Sequence, residues 1–284
     1  MILQGAPRDK AVLVLIAILV PTPLAAVAQD TPSDKSQYNL FNATPREQMR
    51  ELSADRPDVT ESPITVDAGH FQVEGSFIVY GRDNEGVDSE SFSVFPVNLK
   101  AGLLNNVDLQ LVLEPYVEID SDDDNLSGFG DTLLRLKINL WGNDGGKTAF
   151  AFMPYIKFPT GDDEISNDET EGGLIFPFSI ELPSDFSLGL MGEVDFVRNS
   201  ENDGFDAEFL HSAVIGHPIG EDFAGYVEYI GIESSADEFD YTAALSTGVT
   251  YQINDDVQLD VGTVVGLTED AEDFSVFTGF TVRL

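Results

Sequence analysis

The chain has 284 residues, no Cys, and 14 Lys+Arg against 51 Asp+Glu, a formal net charge of -37. That balance argues against nucleic acid as a partner, because phosphates need a basic surface. The absence of Cys excludes disulfides, thiolate metal sites and a Cys nucleophile. A hydrophobic content of 42%, with 20 Phe, 8 Tyr and 1 Trp, is too high for a disordered acidic chain and suits a β-rich one.

Arg8 and Lys10 precede the ten-residue apolar run Ala11–Val20, which is too short to span a bilayer as a helix. Ala26-Val27-Ala28 then offers small residues for a signal peptidase, so cleavage is expected after Ala28. No later stretch is apolar enough for a transmembrane helix, and an exported chain of this kind is held in a membrane only as a β-barrel.

Residues 29–69 have a different texture. Thr44 and Pro45 open a segment with Glu47 at the capping-box position, which predicts a short helix over 44–54. Asp55-Arg56-Pro57-Asp58-Val59-Thr60-Glu61-Ser62-Pro63 excludes a helix interior through its two prolines. Lys35, Arg46, Arg50 and Arg56 are four of the 12 basic residues left once Arg8 and Lys10 are removed. A segment that carries a third of these basic residues, attached to an acidic barrel, is expected to act as a periplasmic plug or hinge through Asp55, Arg56, Asp58 and Glu61. The alternative is a loose leader outside the fold.

From His70 onward the chain alternates strand and connector. The expected strands are 70–81, 89–101, 105–119, 130–141, 147–158, 171–182, 186–198, 206–217, 222–233, 240–252, 256–266 and 273–284. Register is blurred in 70–81, 206–217 and 222–233. The hairpin Asn106–Trp141 shows the alternation best. Val107, Leu109, Leu111, Leu113, Val117 and Ile119 share one face, and Asp108, Gln110, Glu114, Tyr116 and Glu118 the other. Connectors alternate between short turns (103–106, 142–146, 183–185, 218–221, 254–256) and mostly longer acidic loops (120–128, 161–172, 199–204, 234–239, 268–273). That two-sided pattern predicts an all-β, up-and-down antiparallel transmembrane barrel of about twelve strands in the bacterial outer membrane, built from residues 70–284.

If the apolar faces meet lipid, then Lys100, Glu114, Arg135, Lys137, Lys157, Glu181, Glu193, Asp195 and Asp260 line the pore. One reading of them is a selective channel. The other is a lumen filled by ion pairs such as Glu114 with Arg135 or Lys137. Asp120, Asp122 and Asp124 with Asp131 mimic a calcium loop, but Asn125 replaces the glycine and the bidentate Glu is missing. No metal site is therefore expected, and loosely held divalent cations at the outer loops are the most the pattern allows. Among His70, His211 and His217, His211 and Ser212 leave opposite faces of a strand, and no nucleophile elbow occurs. Neither enzyme chemistry nor a cofactor is expected.

Asp55–Pro63 followed by Gly69-His70-Phe71-Gln72-Val73-Glu74 resembles the opening of the outer-membrane transporters grouped with the meta-pathway of phenol degradation. Gly128-Phe129-Gly130-Asp131 with Arg135–Gly142, and Lys157–Gly161, are similar to later motifs of that family. The resemblance implies a barrel that takes up organic solutes. Together these features lead to the expectation of passive passage of small solutes, aromatic or apolar ones included, with outer-membrane lipid as the surrounding partner and the oligomeric state open. The alternative is a structural or adhesive barrel with cation-binding loops and a closed lumen.

Overall fold

The computed structural model describes residues 34–84, 88–121, 124–199, 204–236 and 241–284. The leader, its cleavage after Ala28, and Asp122 of the calcium-like loop lie outside the described residues. Among the described residues, fifteen strands form one antiparallel sheet: β1 (Phe71–Asp83), β2 (Ser89–Val94), β3 (Val97–Leu104), β4 (Val107–Leu113), β5 (Tyr116–Ser121), β6 (Asn125–Gly128), β7 (Thr132–Trp141), β8 (Thr148–Phe158), β9 (Glu171–Glu181), β10 (Ser187–Arg198), β11 (Phe205–Pro218), β12 (Phe223–Ser234), β13 (Thr242–Asn254), β14 (Val257–Gly266) and β15 (Phe274–Arg283). β15 pairs with β1, from Gln72↔Arg283 to Arg82↔Phe274, so the sheet closes on itself. β2 with β3, β4 with β5, and β6 with β7 each make one interrupted stave, which gives a closed barrel of twelve staves.

The interruptions run side by side. β1 bulges between Ser76 and Ile78, β2 and β3 part at Phe95-Pro96, β4 and β5 at Glu114-Pro115, and β6 and β7 at Phe129-Gly130-Asp131. Proline has no N–H to give the ladder, so Pro96 and Pro115 sit where strands break. Each break also shifts the pleat by one residue. The pairings Val94↔Tyr116 and Ser93↔Val117 turn Tyr116 and Glu118 outward and Val117 and Ile119 inward. The expected single face through Val107–Ile119 therefore holds only as far as Leu113, because Pro115 resets the alternation.

The barrel is inside-out relative to a soluble protein. Lys137, Gln110, Glu74, Glu228 and Asp108 are among its most buried side chains, while Leu99, Leu190, Val227, Leu245, Val249 and Val261 stand exposed on the outer wall. Aromatic rings collar both ends of that wall. Trp141, Phe150 and Phe178 cluster on the short-turn side, with Phe223 stacked on Tyr251 at 4.7 Å. Phe209, His211, Tyr229 and Tyr241 cluster on the other. An apolar belt between aromatic girdles is the surface a bilayer selects.

The predicted helix over 44–54 is absent. Only a three-residue 3-10 turn, Arg46–Gln48, forms there, flanked by extended Pro45 and Met49 and burying nothing. The segment is extended instead, which frees its backbone to bond with the barrel: Arg50 N–H donates to Asp67 at 2.9 Å, and the Ser53 carbonyl accepts from Gln72 at 2.8 Å.

Val261 lies mid-strand on the outer wall and is half exposed. Val261→Arg should destabilise the bilayer-embedded barrel by about 2–4 kcal/mol, as a cation at mid-depth does. Denaturant unfolding in lipid vesicles checks this, and an unchanged midpoint would show that the wall does not face lipid.

Candidate functional site in the barrel lumen

The segment before β1 enters the barrel from the short-turn end, forms a loop inside, and leaves by the same end. Three cations fasten its entry. Lys35 lies 2.8 Å from Asp144. Arg50 reaches Asp67 at 3.2 Å and Asp144 at 3.0 Å. Arg46 pairs with Asp256. Arg283, near the end of the last strand, donates to the Arg50 carbonyl at 2.7 Å. At the exit, Gly69 has φ +78°, and any side chain there would strike Ala43, so the turn into β1 requires glycine.

Within the lumen the loop is closed on itself by Ser53–Ser62 at 2.8 Å and by Ser62 N–H to Asp55 at 3.0 Å. Its tip then grips both walls. On one side the Asp55 carboxylate meets Lys137 at 2.5 Å and also Lys100, whose ammonium is shared with Glu74. Glu61 meets Arg135 at 2.7 Å. On the other side Arg56 holds Asp260 through two nitrogens at 2.7 and 3.2 Å and donates to Ser76 at 2.8 Å. Glu228 accepts from the backbone N–H of Val59 at 3.0 Å and of Thr60 at 2.7 Å. The Thr60 hydroxyl, 2.6 Å from Ser212, adds a third bond to Glu228. Asn139 and Asp108 bind the returning backbone at Pro63 and Val66.

The electrostatics of the tip are divided. Burial raises the Asp55 carboxyl, but Lys100 and Lys137 outweigh it and hold the group below the usual carboxylate range. Asp58 has no such partner: burial, and then the Glu228 carboxylate, push it well above its ordinary value.

Pairing register places Lys100, Arg135, Lys137, Lys157, Glu193, Asp195 and Asp260 on the lumen face. Glu181 shares that parity but stands exposed at the short-turn rim. Glu114 sits at the Pro115 break, where its carbonyl accepts from Gly130 at 2.8 Å. The expected pairing of Glu114 with Arg135 or Lys137 does not form, because both cations turn to the loop, toward Glu61 and Asp55. Lys157 is taken near the long-loop end by Glu171 at 2.6 Å and Asp131 at 3.2 Å, and Asp195 accepts from the Tyr155 hydroxyl. His211 faces outward among aromatic rings while Ser212 faces the loop, so the two do not meet. Sequence reasoning missed Glu74, Asp108, Ser212 and Glu228 as anchors. The available signal was an acid set among small, apolar and aromatic neighbours inside a strand, as at Glu74 and Glu228.

Asp55→Ala leaves two buried ammonium groups short of a partner, a loss that costs about 3–5 kcal/mol in buried ion pairs. The loop should detach while the barrel survives, read as protease cleavage within 34–63 on an otherwise intact, heat-modifiable barrel. Resistance equal to the wild type would overturn this. The pH dependence has two signs. Asp55, with a depressed value, stabilises docking above the ordinary carboxylate range and loses that contribution on acidification. Asp58, with a raised value, weakens docking as pH rises through it. Asp58→Asn should therefore keep the loop protected at alkaline pH where the wild type begins to be cut.

The family described as "Putative MetA-pathway of phenol degradation" matches residues 54–284. No curated relative matches the sequence. Among solved structures, the barrel is similar to an outer membrane channel from Pseudomonas putida F1, with a TM-score of 0.60 and 14% identity over 82% of this chain and 100% of that one. It is also similar to the NanC porin, with a TM-score of 0.50 and 11% identity over 75% of this chain and 100% of that one. The fold is thus that of outer-membrane barrels, and the chain belongs to the phenol-degradation MetA-pathway family.

Proposed function

We propose that the protein is an outer-membrane channel for the passive passage of small solutes, closed or narrowed from the periplasmic side by the loop of residues 53–63. The observation that carries this reading is the loop tip itself. Asp55, Arg56, Thr60 and Glu61 bond to opposite walls, so the loop lies across the path rather than along one side. The loop enters and leaves by one end and is held mainly by ion pairs and hydrogen bonds, which suits a part that moves. Family membership and the likeness in fold to an outer membrane channel and a porin support the same reading.

Above the loop the lining has two characters. Glu193, Asp195 and Glu208 stand on the β10–β11 side. Val79, Val117 and Ile119 stand across from them, where the shifted pleat has turned apolar side chains inward, and Phe277 joins them from the unbroken β15. The acids favour cations, and the apolar wall accommodates small aromatic or apolar solutes. The protein works by diffusion, without covalent chemistry.

A second reading is a structural or adhesive barrel whose lumen stays shut. The number of bonds to the loop favours it, because a seal this well paired could be permanent. Planar-bilayer recordings separate the two. Removal of residues 29–63 should raise single-channel conductance severalfold, and a salt gradient should give a reversal potential on the cation-selective side. Unchanged conductance would dismiss the loop as a plug. Silence from both forms, with no vesicle swelling in neutral, anionic or aromatic solutes, would favour the closed barrel.

A further inference from the structure

The outer wall carries an indentation that the channel reading does not use. β9 places Gly172 in the outward row Ile156–Gly172–Phe196, following the pairings Ile156↔Gly172 and Phe196↔Gly172. A glycine between two large apolar residues leaves a hollow in the belt, a cavity of about 420 Å³. Pro154 and Leu174 line it toward mid-membrane, and Phe205 lines it toward the long-loop end. The hollow is built into the backbone: a Cβ at Gly172 would lie 2.6 Å from the Tyr155 carbonyl oxygen, so the position cannot be filled without moving the strand.

A cation stands at the long-loop end of this hollow. Arg198 pairs across from Phe205 on the outward face and holds its guanidinium over that ring, 5.5 Å from the centroid. Among the described residues, two carboxylates are near it. Glu169 lies 3.5 Å from Arg198 Nε and is itself half exposed. Glu171 accepts the Arg198 backbone N–H at 2.8 Å but turns its charge inward to Lys157. Arg82 is a second outward-facing Arg near the long loops, beside Asp88 and Glu90 and away from the residues that line the hollow. On a chain of net charge -37, an outward Arg capping an apolar hollow near the level of lipid headgroups is a specific arrangement.

We propose that this hollow is a binding site for one acyl chain of a phosphorylated glycolipid of the outer leaflet, with Arg198 meeting its phosphate. An alkyl chain fits a surface that is apolar along its length. An anionic headgroup fits Arg198 at its outer end, and Phe205 carries that cation at the boundary where aromatic side chains collect. The site is lipid-facing, so it is independent of whether the lumen conducts.

Native mass spectrometry of the full chain in detergent, titrated with bisphosphorylated lipid A, tests the site. Arg198→Gln should raise the lipid concentration for half occupancy about fivefold, the loss of roughly one interfacial cation. Arg198→Lys should restore most of it, and Arg82→Gln should leave it unchanged. Ile156→Trp, which fills the hollow from its side and spares Gly172, should weaken binding while Arg198 stays in place. Dephosphorylated lipid A should bind the wild type no better than it binds Arg198→Gln. Heat-modifiable migration confirms that each variant is folded. Equal binding by Arg198→Gln and wild type, an equal loss from Arg82→Gln, or competition by inorganic phosphate alone would each overturn the proposal.

Discussion

A bilayer offers no water to an unpaired peptide group, and the structure follows from that requirement. Every stave needs a hydrogen-bonded neighbour on each side, so β1 must meet β15, and the sheet closes as a cylinder. Closure divides each strand's side chains between lipid and lumen. Leu, Val and Phe go outward, and the polar remainder is gathered into a narrow interior where charges stand close together. The buried residues of this protein are accordingly Lys, Glu, Asp and Gln more than Leu or Ile.

Such an interior is electrostatically demanding. Lys100 and Lys137 are almost fully withdrawn from solvent, and a buried ammonium without partners is costly. Glu74 serves Lys100, and the loop brings Asp55 to both. The loop is likewise bound by what the wall supplies: Asp260 for Arg56, Glu228 for two backbone N–H groups, and Arg135 for Glu61. Wall and loop complete each other's hydrogen bonding. Docking of this kind depends on geometry more than on apolar area, and charge changes on either side shift it in opposite directions. The neighbouring carboxylates of Asp58 and Glu228 belong to the same balance, because burial and their mutual repulsion oppose the ionised form of Asp58 in the docked loop.

The line of breaks through β1 to β7 gives the barrel two regimes. Below it, apolar residues face out and charges face in. Above it, on those staves, the pleat is reversed and Val117 and Ile119 turn to the lumen while Glu118 turns out. The same alternating pattern in sequence therefore specifies opposite surfaces, depending on which side of Pro115 it lies.

Much of this was legible in the amino-acid order, and the limits have physical causes. Period-two alternation and the unequal connectors carried the barrel, its approximate staves and the side of the short turns, because those features depend only on neighbours along the chain. The parity of Lys100, Arg135, Lys137, Lys157 and Asp260 came with it. The helix expected over 44–54 failed because local capping signals compete with backbone partners such as Asp67 and Gln72 that exist only after folding. The partners of Arg135 and Lys137 were sought across the hairpin, at the nearest position in sequence, whereas they lie 74 and 82 residues away in a loop that the fold threads through the lumen. Glu228, in a strand of small and aromatic residues, gained its meaning only when Thr60 arrived beside it. Alternation along a strand is a one-dimensional property and determines which face a residue takes. Which charges meet across the enclosed space depends on closure and on the path of the N-terminal loop, and those distances exist only in the folded barrel.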